Sequence, residues 1–371
     1  MSINYSWALE RFKRKQFPEI VSTGGAFLED HSGRIAASDE LIKLGDITLR
    51  AALMLGDRAR TDRLLDVCGN LGALSHFRAA TDLQDGDIEA AWFSLANATP
   101  YNPDHHGFWS LGLNSVVRNP DWLRYAERGC TFRSPATEAV VGGARSSPRY
   151  AVVFSSDSGY FKRFFEQGIA SLRRNCSHFR AYYYVIEPDE ECVRLMHMHA
   201  AEDVEFLIDA EPQRRGDKSY FATTRFFAAD RVVRETGLPA FIFDIDSCVL
   251  ADLATLLSSV EWPRGKTVCR FMGGLALPWH KIVANAMYVP PTREGRQYLE
   301  AVCAYLRHVY SRSSRERLWW LDQNALYFAF LARQQGDFAN FPGWAMNRYV
   351  HYPRMFEDKD KVMAGRKGGA G

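Results

Sequence analysis

No window of this chain reaches the ~18 uninterrupted apolar residues that a membrane-spanning helix needs. The opening residues, MSINYSWALERFKRKQF, lack the apolar run of a secretory signal. Charge of one sign is also scarce. Against 46 basic residues stand 44 acidic ones, and no long block of like charge occurs. That balance gives no footprint for a nucleic-acid partner. The seven cysteines (Cys68, Cys130, Cys176, Cys192, Cys248, Cys269, Cys303) are odd in number and never spaced Cys-x-x-Cys. They read as reduced thiols, not a disulfide framework or a zinc site. Neither GxxxxGK[ST] nor GxGxxG occurs, which removes P-loop and ordinary dinucleotide-binding readings. The expectation is a cytoplasmic protein without a transmembrane segment. The cluster Arg11, Lys13, Arg14 and Lys15, beside Phe12 and Phe17, reads as a solvated helix face; the alternative is peripheral contact with the inner face of a membrane.

What is present is globular: 371 residues, 47% apolar by type and 24% charged, enough for two domains. The first part reads helical. Residues 41–57, 61–87 and 88–103 place Leu, Ala and aromatics at i, i+3, i+4 spacing. Gly56-Asp57 and Gly86-Asp87 punctuate this part about 30 residues apart, a pattern similar to tetratricopeptide-type hairpins or to a plain helical bundle. The expected division is a helical domain over 1–141, a linker over 142–149 (GGARSSPR), an α/β domain over 150–362 and a flexible tail over 363–371. In the α/β part, strands at 150–156, 181–188, 204–210 and 240–246 alternate with amphipathic helices. That alternation predicts a mostly parallel, Rossmann-type sheet covered on both faces. Ligands of such sheets bind at the carboxyl ends of the strands.

The sharpest signal lies at one such end. FIFDIDSCVL (241–250) is an apolar strand closing in Asp244-Ile245-Asp246. Strand alternation would put both carboxylates on one side and Ile245 on the other. Oxygen donors of this kind suit Mg²⁺ or Mn²⁺, with phosphate oxygens completing the shell. Arg225, on an aromatic-rich helix before that strand, is placed to pair with phosphate or with these carboxylates. Asp322 and Gln323 interrupt a very apolar helix, Leu318 to Phe330. A carboxylate there marks either a site or a helix cap. Asn285 offers a sugar hydroxyl both a donor and an acceptor, or else it is a turn residue. Ser155, Ser156 and Asp157, at the end of the first strand, are placed to meet a nucleoside or to cap the next helix.

In this order the segments resemble GT-A-type glycosyltransferases, and especially the retaining group that includes glycogenin and the lipopolysaccharide galactosyl- and glucosyltransferases. SYFATTRFF (219–227) resembles that family's Tyr/Arg helix, Asp244-Ile245-Asp246 its metal motif, IVANAMYVPP (282–291) its Asn-Ala segment, LWWLDQNALYFAF (318–330) its Asp-Gln helix, and VHYPRMFEDKDK (350–361) its His-containing strand. The resemblance implies an enzyme moving a sugar from a nucleotide-diphosphate sugar, UDP-linked by expectation, to a hydroxyl of a glycan, glycolipid or protein acceptor. It implies Mn²⁺ or Mg²⁺ on Asp244, Asp246 and His351. It gives Tyr220, Arg225 and Lys361 to the donor, and Asn285, Asp322 and Gln323 to the sugar and the reacting centre. Two departures stand out: the family's His-x-x-Gly-x-x-Lys-Pro-Trp pattern is not present, and Met287 replaces the glycine expected after Asn-Ala. Two rival readings remain. One is a phosphatase of the haloacid-dehalogenase type, with Asp244 as nucleophile. The other is a non-enzymatic helical-repeat adaptor.

Overall fold

A computed structural model describes residues 3–68, 71–102, 109, 122–127, 129–133, 138–141, 147–313, 318, 320–345 and 348–351. The chain divides into two compact units. One comprises Met1–Ala126 with Met272–Lys281, the other Glu127–Phe271 with Ile282–Gly371. Among the described residues no helix is long and apolar enough to cross a membrane.

The first unit is helical. After α1 (Tyr5–Lys13) come two hairpins: α2 (Asp39–Leu55) with α3 (Arg58–Val67), and α4 (His76–Gln84) with α5 (Ile88–Ala98). The repeat seen in the sequence is a repeat of turn chemistry. Gly56 and Gly86 take φ of 67° and 78°, the left-handed region that ends helices at little cost to glycine. Asp57 N–H then donates to Ala52 O, and Asp87 N–H to Asp82 O. Each aspartate next caps the following helix, Asp57 accepting from Arg60 N–H and Asp87 from Ala90 N–H. The stretch 61–87, expected as one helical run, is two helices around a 3₁₀ turn at Gly72–Leu74. The chain comes so close there that a Cβ on Gly72 would collide with the Tyr101 ring and Asn97 O.

Residues 272–281 form an arm that belongs to this helical unit. Its Leu275, Leu277 and Trp279 are buried, and Trp279 stacks on Trp109 with centroids 3.4 Å apart and planes at 9°. His280 is pushed down to about 4, first by burial and then by Arg50, so it is neutral at ordinary pH. Trp279→Ala is expected to destabilise the helical unit by about 3–5 kcal/mol, the usual loss for a buried large aromatic. Denaturant unfolding measures this, and a loss below about 1 kcal/mol would show that the arm is only laid against its surroundings.

The second unit opens with β1 (Glu138–Val141), a strand inside the stretch expected to be helical. It continues through β2 (Tyr150–Asp157), α6 (Ser158–Asn175), β3 (Phe179–Ile186), α7 (Glu190–His199) and β4 (Val204–Asp209). Then come α8 (Lys218–Thr236), β5 (Ala240–Phe243), β6 (Cys248–Val249), α9 (Leu253–Ser258) and β7 (Thr267–Phe271). Last are β8 (Ile282–Val289), α10 (Arg293–Arg312), α11 (Leu321–Leu331), β9 (Phe338–Asn340) and β10 (Val350–His351). Of the expected linker only 147–149 is described, and the expected tail 363–371 lies outside the described residues.

Eight strands make one sheet in the order β1-β4-β3-β2-β5-β8-β7-β9. Its centre, β4-β3-β2-β5, is parallel, and β1 and β8 add antiparallel. The fold is the expected one: a mostly parallel central sheet flanked by helices and preceded by a helical region. On one face Phe161, Phe164, Phe165 and Ile169 of α6 pack on Tyr150, Val152 and Phe154 of β2. Phe154 stacks on Tyr183 of β3 at 4.8 Å. Helix α8 lies against the other face, so both sides of β2 are apolar, as a central parallel strand requires.

One expectation is corrected. The strand expected over 240–246 stops at Phe243. Asp244 to Ser247 form a turn, closed by Ser247 N–H donating to Asp244 O at 3.0 Å. The chain leaves the sheet there so that Cys248 and Val249 can pair with His351 and Val350 in a separate two-stranded sheet. Asp244 and Asp246 therefore sit on a turn and not on one side of a pleat, although Ile245 is buried as expected.

Candidate active site

The sheet changes direction at β2. Strand β3 follows on one side of it and β5 on the other, both parallel to it. The crevice between the carboxyl ends of β2 and β5 is the place where doubly wound sheets bind ligands. The ladder between β2 and β5 ends at Val153↔Ile242 and that between β5 and β8 at Phe243↔Ala286. Beyond these last pairs come Ser155 on β2, the turn that starts at Asp244, and Asn285 on β8, in a row along the strand ends. Met287 itself is buried within the sheet, 1% exposed. The departure from glycine therefore falls in the packed interior, two residues beyond Asn285.

Arg225 lies over this row. It is 3% exposed and makes three short contacts. Nη1 donates to Asp244 Oδ1 at 2.6 Å, and Nη2 to Asp322 Oδ2 and to Ala284 O, both at 3.1 Å. One guanidinium on α8 thus ties the turn after β5, the strand β8 and the first turn of α11. A planar fork with a fixed charge is the side chain for that task. Asp322 Oδ1 also accepts the N–H of Gln323 at 2.8 Å, which leaves little freedom to its carboxylate. Gln323 is buried beside it. Helix α11 begins at Leu321, not Leu318, and Trp320 just before it has φ of 69°. A bulky residue in that region is strained by on the order of 1 kcal/mol or more. Neither Trp320 nor the carbonyl of Ala284 was legible as part of the site, because backbone angles and carbonyl directions leave no mark on residue type.

Other expected residues are placed differently. Tyr220 is tied into the core. Its ring is fully buried and its hydroxyl donates to Asp209 Oδ2 at 2.7 Å, beside a second donation from Tyr184 at 3.0 Å. Burial, then the Asp209 carboxylate, holds the Tyr220 hydroxyl far above its ordinary value. Ser155, Ser156 and Asp157 do not form one patch, because strand alternation sends the serines to opposite faces. Ser155 donates to Phe221 O at 2.8 Å and so anchors α8. Ser156 is buried, and its hydroxyl has no partner among the described residues. Asp157 caps α6, accepting from Tyr160 N–H at 2.7 Å. Lys361 lies outside the described residues.

The donors for a divalent ion are of a fitting kind. Asp246 is buried at 7% exposure in the same turn as Asp244, and β10 sets His351 opposite Cys248, two residues further on. Carboxylate oxygens and a neutral imidazole are a chemically sound set for Mn²⁺. Among the described residues, however, no three His, Cys, Asp or Glu groups are drawn into a metal-binding cluster. Asp244 points an oxygen at Arg225 instead. A separate groove of about 450 Å³ runs along α6 and β6, lined by Lys162, Glu166, Arg174, His199, Cys248 and Leu250 among others. It holds none of the carboxylates above. Lys162 and His199 already pair with Asp189 and Glu166, so the groove does not compete as the chemical site.

The fold and this constellation define a doubly wound α/β domain in which Arg225 braces two carboxylates at the carboxyl ends of the central strands. No protein-family model matches the chain, and no curated protein matches its sequence. Among solved structures it is similar to the apo-form glycosyltransferase GlyE of Streptococcus pneumoniae TIGR4, at 18% identity and a TM-score of 0.37, over 54% of this chain and 46% of that one. It is similar to the galactosyltransferase LgtC in complex with donor and acceptor sugar analogs, at 12% identity and a TM-score of 0.35, over 51% and 72%. Mouse xyloside xylosyltransferase 1 is similar at 9% identity and a TM-score of 0.33, over 52% and 85%. The chain spans less than half the length of the first of these.

Proposed function

We propose that this chain transfers a sugar from a nucleotide-diphosphate sugar, UDP-linked, to a hydroxyl of a glycan, glycolipid or protein acceptor. One observation carries the reading: Arg225 bridges Asp244 and Asp322 while two buried polar atoms beside them are unsatisfied. Asn285 Oδ1 and Arg225 Nε have no partner among the described residues. Buried polar atoms without partners cost about 1–3 kcal/mol each, and they persist where a ligand satisfies them. One is an acceptor and the other a donor, and hydroxyl groups meet both needs. A sugar supplies several.

The chain's residues divide the work. Asn285 and Arg225 orient the donor sugar. Gln323 supports the reacting centre from the first turn of α11. Asp322 takes the proton of the acceptor hydroxyl if the outcome is inverting, or stabilises positive character at the anomeric carbon if it is retaining. Asp244, Asp246 and His351 are the residues that would hold a divalent ion, Mn²⁺ or Mg²⁺. Such an ion, when bound, supplies positive charge to the departing diphosphate. Lys361 is proposed as a further phosphate contact, and the helical unit as the part that recognises the acceptor or a partner.

The phosphatase reading is not favoured, because its aspartate motif opens the domain, whereas here three strand–helix units, β2-α6, β3-α7 and β4-α8, precede the turn of Asp244. An adaptor is not favoured either, since binding through a helical unit gives no use to buried carboxylates and a buried guanidinium in the other unit. A thermal-shift panel of UDP-, GDP- and CDP-sugars with Mn²⁺ tests the proposal, because a bound donor raises the melting temperature by mass action. A UDP-sugar should give the largest rise, and no rise with any sugar nucleotide would end the proposal. Asp322→Asn keeps the contact to Gln323 N–H but removes the charge. It is expected to lower turnover by on the order of 10²-fold or more with donor affinity little changed. Normal turnover with a much lower melting temperature would mark Asp322 as structural only.

A further inference from the structure

Asp209 ends β4 as a carboxylate only 4% exposed, and among the described residues no cation pairs with it. A buried carboxylate without a cation is costly, and most are paired. Here two phenols meet one oxygen instead. Oδ2 accepts from the Tyr220 hydroxyl at 2.7 Å and from the Tyr184 hydroxyl at 3.0 Å. Burial holds both hydroxyls far above their ordinary values, so both stay donors. The two donors differ in where they lead. Tyr184 belongs to β3, the strand beside β4, whereas Tyr220 belongs to the first turn of α8. One residue on, Phe221 O accepts from Ser155 of β2 at 2.8 Å. The helical repeat pairs that same carbonyl with the N–H of Arg225, four residues later. Two links from the sheet thus end on the turns that carry the guanidinium. The side-chain hydrogen bonds of Asp209 reach neither Asp244, Asn285 nor Asp322.

We infer that Asp209 is a positioning residue: through Tyr220 it fixes the start of α8, and so the place of Arg225 in the crevice. This rests on the transferase reading above, in which Arg225 orients the donor sugar. Asp244, Asp322 and Ala284 O hold the tip of Arg225. Asp209 and Ser155 hold its root, by keeping α8 from sliding along its own axis. Such precision matters, because a shift of about 1 Å in an orienting group can cost on the order of 10²-fold in rate. A carboxylate suits the task better than a neutral acceptor, since charge-assisted hydrogen bonds are shorter and roughly twice as strong. That gives the buried charge a use that stability alone does not.

The test is calorimetric titration of the full chain, with Mn²⁺ present throughout. One ligand is UDP. The other is whichever of UDP-glucose, UDP-galactose, UDP-N-acetylglucosamine and UDP-xylose binds wild type most tightly. The variants are Tyr220→Phe and Tyr184→Phe. Each removes one hydroxyl from the same carboxylate oxygen, but only Tyr220→Phe cuts the link to α8. Tyr220→Phe is expected to weaken the sugar nucleotide roughly tenfold, the scale of one charge-assisted hydrogen bond, with UDP little changed. Tyr184→Phe is expected to change neither ligand. A purely structural Asp209 predicts the same effect from both variants. A smaller folded fraction lowers the number of sites and leaves the ratio of the two affinities as it was. An unchanged ratio in Tyr220→Phe overturns the inference, and so does an equal change in both variants. If Tyr220→Phe does not fold, Asp209→Asn replaces it. Asparagine keeps the shape and an acceptor oxygen but not the charge, so a selective loss of roughly threefold is expected, and an unchanged ratio again overturns the inference. Failure of wild type to bind any of these sugar nucleotides defeats the transferase reading itself, and leaves Asp209 nothing to position.

Discussion

Asp246→Asn is expected to leave the protein folded and to remove metal-dependent UDP binding, with turnover down by on the order of 10³-fold or more. Asparagine matches aspartate in shape, so the buried turn of Asp244 to Ser247 keeps its packing and its closing hydrogen bond. What changes is charge. Hard divalent cations rely on anionic oxygens, and the substitution removes one of the two carboxylates proposed for the ion. Stability without ligand should hold or rise, because two carboxylates in one four-residue turn disfavour each other's charge. Titration of UDP with and without Mn²⁺, on wild type and variant, reads this directly. Equal, metal-independent UDP binding by both proteins would remove Asp246 from the site. The phosphatase alternative makes a different forecast: a phosphorylated intermediate on Asp244, indifferent to any sugar nucleotide.

Residue type fixed much of this architecture before any coordinates. The alternation of apolar runs and amphipathic helices from 150 onward marks β2 to β5 and their helices to within a few residues, because burial on both faces demands continuous apolar strands. The pairs Gly56-Asp57 and Gly86-Asp87 mark the helical hairpins, since only a left-handed glycine and a capping aspartate suit those turns. The early end of β5 was not legible. FIFDID reads as strand throughout, yet it turns at Asp244, and Cys248 and Val249 beyond the turn pair with the distant His351 and Val350. The arm at 272–281 escaped for a similar reason. MGGLALPWHK looks like a loop until Trp109 is found stacked on Trp279, 170 positions apart in the sequence. At the site, Arg225, Asp244 and Asp322 were each candidates, but that one guanidinium joins the other two depends on α8, β5 and α11 converging, and no local pattern encodes convergence. Tyr220 and Ser155 stayed open to two readings because a polar group near a strand end looks the same whether it meets a ligand or the carboxylate and carbonyl of its own core.

Arg225→Met is expected to destabilise the protein by about 3–5 kcal/mol, the range for removing one partner of a buried ion pair. Methionine fills most of the volume and suits the apolar neighbours on α8, so the loss comes from electrostatics and not from a cavity. Three acceptors lose their donor together: Asp244 Oδ1, Asp322 Oδ2 and Ala284 O. The Asp322 side chain is 18% exposed and that of Asp244 36%, so water relieves Asp244 more than Asp322, and the lower end of the range is the better forecast. The same reasoning predicts a rescue. Adding Asp244→Asn and Asp322→Asn to Arg225→Met removes the stranded charges, and the triple variant should be more stable than the single one by at least about 1 kcal/mol, because neutral groups are far cheaper to leave buried. Urea unfolding followed by circular dichroism measures all three proteins, with a common m-value as the check that the same structure is being unfolded. A single substitution that costs less than about 1 kcal/mol, or a triple variant weaker than the single, would show that Arg225 does not neutralise this pair of carboxylates. The brace joining the turn after β5 to α11 would then have to be sought elsewhere.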